Sequence, residues 1–189
     1  MAIATINRGT LFLVVGPSGA GKDTLLDGAR EALANDPRYR FAVRTITRPE
    51  DVGGEDHVEA SPATFAEMAA AGGFALRWGA HDLCYGIPQA EVAPLADGVH
   101  VIANVSRGIL DEARSRFVPV VVVSVIVPPE VLRARLQARG REDAADIERR
   151  LKRAAALEVV GPDVRYVVND GSVAEGVVSF LDVLAQAAP

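Results

Sequence analysis

Cysteine is nearly absent. Cys84 stands alone in 189 residues, so no internal disulfide can form, and this usage suits a reducing compartment, with the cytoplasm as the expected location. Long apolar runs are missing too. The longest, at 119–129, is interrupted by Ser124 and is too short to span a bilayer. The first eight residues lack a basic start followed by an apolar stretch, so no signal peptide is expected. Positive charge is in deficit: 20 Lys and Arg against 25 Asp and Glu give a net charge of −5, which argues against nonspecific nucleic-acid or membrane-surface binding. No Cys/His cluster has metal-ligand spacing, and no nucleophile elbow supports a Ser-His-Asp hydrolase. Internal repeats and low-complexity tracts are also lacking. Apolar residues, in contrast, make up 49% of the chain, ample for one packed core, and the length favours a single domain carrying small inserted lobes.

The most informative stretch is Gly16-Pro17-Ser18-Gly19-Ala20-Gly21-Lys22-Asp23, followed by Thr24. It lies between the apolar run 11–15 and a helical pattern, the strand–loop–helix setting of a phosphate-cradling loop. Glycines let successive backbone N–H groups turn towards a polyphosphate, and the helix that follows directs its positive end at the same charge. Lys22 supplies a mobile cation for the β- and γ-phosphates of a nucleotide. Most such loops place Ser or Thr after the lysine; here Asp23 takes that place. A carboxylate beside a triphosphate repels it unless a cation lies between them. Asp23, with Thr24 nearby, therefore either ligates Mg²⁺ directly or through water, or does no more than favour the helix N-terminus electrostatically.

Periodicity predicts strands at 10–15, 41–43, 99–105, 120–127 and 165–168, and helices at 22–33, 109–117, 130–139, 146–158 and 173–185. The β-branched run at 120–127 reads as a parallel strand covered on both faces. Alternating strands and helices imply an α/β fold with a parallel five-stranded sheet and right-handed crossovers. Residues 44–90 interrupt the pattern as an inserted lobe within a core of 1–43 and 97–189. In that lobe 44–60 reads as a polar substrate loop. Ser61 and Pro62 open a helix, 74–78 forms a strand, 81–86 forms a loop, and 89–96 forms a further helix.

Two basic constellations remain. Arg133, Arg135, Arg139, Arg141, Arg149, Arg150 and Arg153 flank the break at Gly140, with four-residue spacings that place pairs on one helical face. This suits a mobile lid at 133–153 that brings guanidinium groups to a transferring phosphoryl group; the alternative is a solvated helical surface balanced by Glu142, Asp143, Asp146 and Glu148. In the lobe, Arg44, Thr45, Thr47 and Arg48, then Arg77, Trp78, His81, Asp82 and Tyr85, suit a second phosphorylated substrate, or else a polar surface loop. His100 alternates with apolar residues and reads as structural.

The phosphate loop, Thr47-Arg48-Pro49, Tyr85-Gly86 and the lid run Arg135-Leu136 to Arg139-Gly140, leading to Arg150-Leu151, follow the order of the guanylate kinase family. The chain resembles that family over nearly its whole length. Within it, the Gly-Lys-Asp loop, Ile46 to Pro49, Glu55-Asp56-His57, Asn104 with Ser106-Arg107, Arg139 to Glu142, and Asn169-Asp170-Gly171 are similar to the ribose 1,5-bisphosphate phosphokinases of bacterial phosphonate metabolism. The resemblance implies a P-loop NTPase of the nucleoside monophosphate kinase type, with an inserted substrate lobe and an Arg-rich lid. Guanylate kinases read guanine with carboxylates where this chain has Leu76-Arg77 and Ala103-Asn104-Val105. A further loop arginine of that family is replaced by Glu50-Asp51, and a phosphate-binding tyrosine by His57. A pocket lacking those carboxylates should reject guanine heavily.

The implied activity is transfer of the γ-phosphoryl of ATP to ribose 1,5-bisphosphate, giving 5-phosphoribosyl 1-diphosphate (PRPP) and ADP, with Mg²⁺ as the metal. The implied roles are as follows. Gly16 to Lys22 cradle the phosphates, with Asp23 and Thr24 at the metal. Lys22, Arg135, Arg139 and Arg150 act on the transferring group. Arg44, Arg48, Tyr85 and Arg107 hold the sugar bisphosphate, and Asn169 and Asp170 lie on the adenine side. The expected partners are ATP and a small phosphorylated sugar, with no nucleic acid or membrane, in a monomer or homodimer. A nucleoside monophosphate kinase, a kinase of another small phosphorylated metabolite on the same scaffold, and a non-catalytic guanylate-kinase-like interaction module remain the alternatives.

Overall fold

The computed structural model describes residues 8–49, 56–140, 143–155 and 159–187, the side chain of Arg139 excepted. Glu50, Asp51, Glu55, Arg141 and Glu142, and with them part of the Asp-His and lid motifs, lie outside the described residues. In chain order the elements are β1 (Leu11–Val15), α1 (Lys22–Ala32), β2 (Tyr39–Phe41), β3 (Arg44–Ile46), β4 (His57–Glu59), α2 (Pro62–Ala70), β5 (Phe74–Ala80), β6 (Leu83–Pro88), α3 (Gln89–Val92), β7 (His100–Asn104), α4 (Leu110–Arg116), β8 (Val120–Ile126), α5 (Pro129–Arg139), α6 (Ala144–Ala155), β9 (Val164–Val168) and α7 (Val173–Ala187). Five strands form a parallel sheet in the order β2-β7-β1-β8-β9, and four form a second sheet in the order β4-β3-β6-β5. β1 is buried at every position and β8 at its centre, as expected for strands covered on both faces. No helix among the described residues is long and apolar enough to cross a membrane.

The chain divides into two compact units, one comprising residues up to 13 and 35–120, the other 14–34 and 121–187. In the first, β2 pairs in parallel with β7, and Glu91 of α3 accepts from the Val43 amide (3.1 Å) and from Arg40 (3.3 Å). His100 is buried, and its Nδ1 accepts from the Thr10 amide at 3.0 Å, which fixes the neutral ring with its proton on Nε2. Phe12 and Tyr39 pack on the ring, and burial holds its pKa below the usual histidine value, with the nearby Arg38 charge acting in the same direction. The second sheet is closed on one side by α2. Ser61 caps that helix by accepting from the Thr64 amide (3.1 Å), and Phe65 stacks on Phe74 with ring centroids 4.5 Å apart.

In the second unit α1 and α7 pack together, with Leu25, Leu26 and Ala29 buried from the one and Phe180 and Leu184 from the other. α5 and α6 share their own cluster of Leu132, Leu136, Ile147 and Leu151.

Several sequence expectations are corrected. The second strand lies at Tyr39–Phe41 rather than 41–43, because it is register with β7 (Tyr39 opposite His100) that defines it. The polar stretch 44–60 carries a strand at each end: β3 and β4 pair in parallel, Arg44 opposite His57. The expected loop at 81–86 is mostly strand. Only His81 and Asp82 turn, both at positive φ (53° and 60°), making a two-residue hairpin between β5 and β6. The helix expected at 89–96 is one α-turn followed by a 3₁₀ segment at Ala93–Asp97, and the one expected from 109 begins as a 3₁₀ turn at Arg107–Ile109.

Candidate active site

The phosphate loop leaves the end of β1 and enters α1 at Gly21, whose φ of 84° makes it a left-handed helix cap. A side chain there would be strained by that backbone, and a Cβ would also lie 2.5 Å from Asn169 Nδ2. Lys22 folds back across the loop, its Nζ donating to the carbonyls of Gly16 (2.9 Å) and Pro17 (3.1 Å). The ammonium is thus held against the first two residues of the loop. Ser18 is exposed at the tip, Pro17 and Gly19 are half-buried, and Ala20 is buried. Asp23 and Thr24 are exposed in the first turn of α1.

The arginines expected in the lid separate into two groups. Arg133 pairs with Glu148, and Arg149 with Asp146, on the solvent side of α5 and α6; both pairs are surface stabilisation of modest worth. Arg150, by contrast, reaches the phosphate loop, its Nη1 donating to Ser18 Oγ at 2.8 Å. Arg135 also points to the loop. Its Nη1 lies 3.8 Å from where a Cβ on Gly21 would be, is buried, and has no hydrogen-bond partner among the described residues. A buried guanidinium N–H without an acceptor is costly, and a phosphate oxygen is the acceptor such a position suits. Arg139 ends α5, with Gly140 as its left-handed cap.

Asn169 is buried at the end of β9, and its Nδ2 donates to the Ala20 carbonyl at 2.7 Å. That contact faces the loop backbone, whereas Asp170 beside it is exposed.

Sequence reasoning placed four acceptor candidates in the other unit. Arg44 is 8% exposed on β3; its Nη1 donates to the Asn104 carbonyl (3.1 Å), and its guanidinium lies 5.6 Å from the Tyr85 ring centroid. Tyr85 in turn stacks on Trp78, 5.6 Å between centroids and 3° between planes. Arg48 is half-buried, and its carbonyl accepts from Nε2 of the buried His57 (3.1 Å). The segment before it is fixed by Thr47, whose Oγ1 accepts from the Cys84 amide (2.8 Å). Arg107 follows β7 in its 3₁₀ turn. The structure thus brings Arg44, Tyr85 and Trp78 together, the last named in the sequence only as a member of the lobe constellation and without a role of its own. The available signal was the hairpin: a turn at 81–82 sets Trp78 opposite Tyr85.

Among the described residues no group of three or more His, Cys, Asp and Glu could hold a metal ion. A magnesium ion carried on a nucleotide would take one or two protein oxygens, phosphate oxygens and water rather than a protein cage. Asp23 and Thr24, exposed in the first turn of α1, are the side chains beside the loop that could serve such an ion.

No family model matches the chain. The ribose 1,5-bisphosphate phosphokinase PhnN of Brucella melitensis biotype 2 is 43% identical over 181 residues, covering 96% of this chain and 94% of its own length. The chain belongs to the ribose 1,5-bisphosphate phosphokinase family. The bifunctional ribose 1,5-bisphosphokinase-thymidine phosphorylase of Cupriavidus pinatubonensis is 48% identical over 180 residues, 95% of this chain but 30% of its own length. The chain spans between a quarter and a third of the bifunctional relatives it matches. Among solved structures, the guanylate kinase of Anaplasma phagocytophilum superposes with a TM-score of 0.68 at 16% identity, over 96% of this chain and 87% of its own. That likeness shows the fold alone.

Proposed function

We propose that the protein transfers the γ-phosphoryl of ATP to the 1-phosphate of ribose 1,5-bisphosphate, yielding 5-phosphoribosyl 1-diphosphate and ADP. The bond from the γ-phosphorus to the β,γ-bridging oxygen breaks as another forms to an oxygen of the 1-phosphate. That oxygen is already ionised at neutral pH, so no general base is needed, and catalysis comes from alignment and charge neutralisation. The loop amides from Gly16 to Lys22 hold the ATP phosphates. Lys22 and the lid arginines Arg135, Arg139 and Arg150 balance charge on the transferring group. When bound, magnesium held near Asp23 and Thr24 neutralises phosphate charge. Residues 133–153 act as the lid, and 44–90 as the acceptor lobe, with Arg44, Arg48, Tyr85 and Arg107 on the sugar bisphosphate. Asp170 lies on the adenine side.

The observation that carries this reading is the buried Arg135 Nη1, without a hydrogen-bond acceptor among the described residues, beside Gly21 while Arg150 rests on Ser18 of the same loop. The family relationship supplies the acceptor. ADP release measured with ribose 1,5-bisphosphate, with GMP and with no acceptor tests it. Turnover with the sugar bisphosphate alone is expected. Turnover with GMP alone would make the protein a nucleoside monophosphate kinase, and binding of neither nucleotide nor acceptor would leave only an interaction module.

A further inference from the structure

We infer that Asn169 is a positioning residue for the phosphate loop rather than a contact to the adenine: its carboxamide fixes the Ala20 peptide and thereby aims the next N–H at the polyphosphate. This rests on the loop being the ATP site. Asn169 is 5% exposed, and its Nδ2 donates to the Ala20 carbonyl at 2.7 Å across 149 residues of sequence. Because the partner is a carbonyl, the side-chain atom facing it must be the amide nitrogen. The backbone of Asn169 is itself anchored, its N–H donating to the Ile126 carbonyl at 2.9 Å, one step past the β8–β9 ladder. The side chain sits in a slot formed by two glycines. A Cβ on Gly21 would come 2.5 Å from Nδ2, and a Cβ on Gly176 of α7 would come 2.8 Å from Oδ1. Both ends of the amide are therefore confined.

The consequence follows from peptide geometry. In a planar trans peptide the C=O and the following N–H point in opposite directions. Holding the Ala20 oxygen on Asn169 turns the Gly21 N–H the other way, and Gly21 then opens α1, whose first amides have no helical acceptor. One buried amide thus sets the direction of the loop's last donors before a ligand arrives, which is the preorganisation that phosphate binding rewards.

The test compares Mg-ATP with Mg-tripolyphosphate, which has no adenine, by calorimetry on wild type and Asn169→Ala. Orphaning the Ala20 carbonyl is expected to weaken both ligands by a similar factor, about tenfold, while ribose 1,5-bisphosphate binding is unchanged. Weakened ATP with unchanged tripolyphosphate would assign Asn169 to the adenine and overturn the inference; so would no change in either. Failure of the wild type to bind tripolyphosphate would instead overturn the loop reading itself. Should Asn169→Ala not fold, Asn169→Asp serves. Its carboxylate repels the Ala20 oxygen, whereas its protonated form donates to it. The ratio of variant to wild-type tripolyphosphate affinity should therefore recover towards one as pH falls through the carboxyl pKa; a flat ratio would contradict the positioning role, because a merely structural lesion has no reason to titrate there.

Discussion

At the residue scale the chain assigns different duties to side chains of the same kind. Arg133 and Arg149 are satisfied by neighbouring carboxylates at the surface, whereas Arg135 and Arg150 are directed at the phosphate loop. Arg150→Ala is therefore expected to lower kcat by about a hundredfold or more, with Arg149→Ala close to wild type; steady-state kinetics on the pair checks this. Asp23 separates from Thr24 by a different measurement. If the carboxylate serves the metal, Asp23→Asn raises the magnesium concentration needed for half-maximal turnover; if it only favours the helix N-terminus, that concentration does not move. His100 gives a prediction for stability against pH. Its folded pKa lies below the unfolded value because burial and Arg38 disfavour the charged ring, and only the neutral ring can accept the Thr10 amide. The unfolded chain therefore binds the proton first. The contribution of His100 is fully present above about 6.5 and is lost as pH falls below it. His100→Asn, which keeps an acceptor near Nδ1, should flatten the decline in Tm between pH 7 and 5; an unchanged slope would exclude the histidine as its cause.

At the scale of elements, what could be read from the sequence depended on whether a pattern was local. β1, its loop and α1 were legible because an apolar run, a glycine-rich turn and a three-to-four spacing each carry their own period. The Ser61 cap was legible for the same reason, since its Oγ accepts from a residue only three positions on. β3 was not, because two of its three residues are Arg44 and Thr45, buried by partners on β6, on β4 and at Asn104. β6 was obscured by Gly86, which reads as a turn. In the fold Gly86 is a strand residue that lets Phe74 lie close: a Cβ there would come 2.5 Å from the ring. Gly86→Ala should cost the second sheet about 1–3 kcal/mol and lower Tm while leaving nucleotide affinity unchanged. Gly21→Ala should do the reverse in emphasis. It forces a Cβ against Asn169 at a left-handed position, and its expected signature is a loss of ATP affinity exceeding the loss of stability. Calorimetry and thermal melts on both variants separate the two outcomes. The Asn169 tether joins positions 149 residues apart and has no local period to betray it.

At the scale of the whole molecule, a fold like that of a guanylate kinase carries the glycine-rich loop with Lys22 folded across it, and the lobe proposed for the acceptor has Leu76-Arg77 on β5. Leu76 is buried and Arg77 exposed on β5, and Asn104 spends its carbonyl on Arg44. The side chains brought together there, Arg44, Tyr85 and Trp78, offer one cation and two aromatic faces, which suits the proposed phosphorylated sugar better than the hydrogen-bonding edge of a purine. The measurement that bears most directly on this is transfer of label from [γ-³²P]ATP in a mixture containing equal amounts of ribose 1,5-bisphosphate and GMP. The account predicts label in the terminal phosphate of 5-phosphoribosyl 1-diphosphate, none in GDP, and none in either product with Lys22→Ala. Label appearing in GDP in preference to the sugar diphosphate would contradict it.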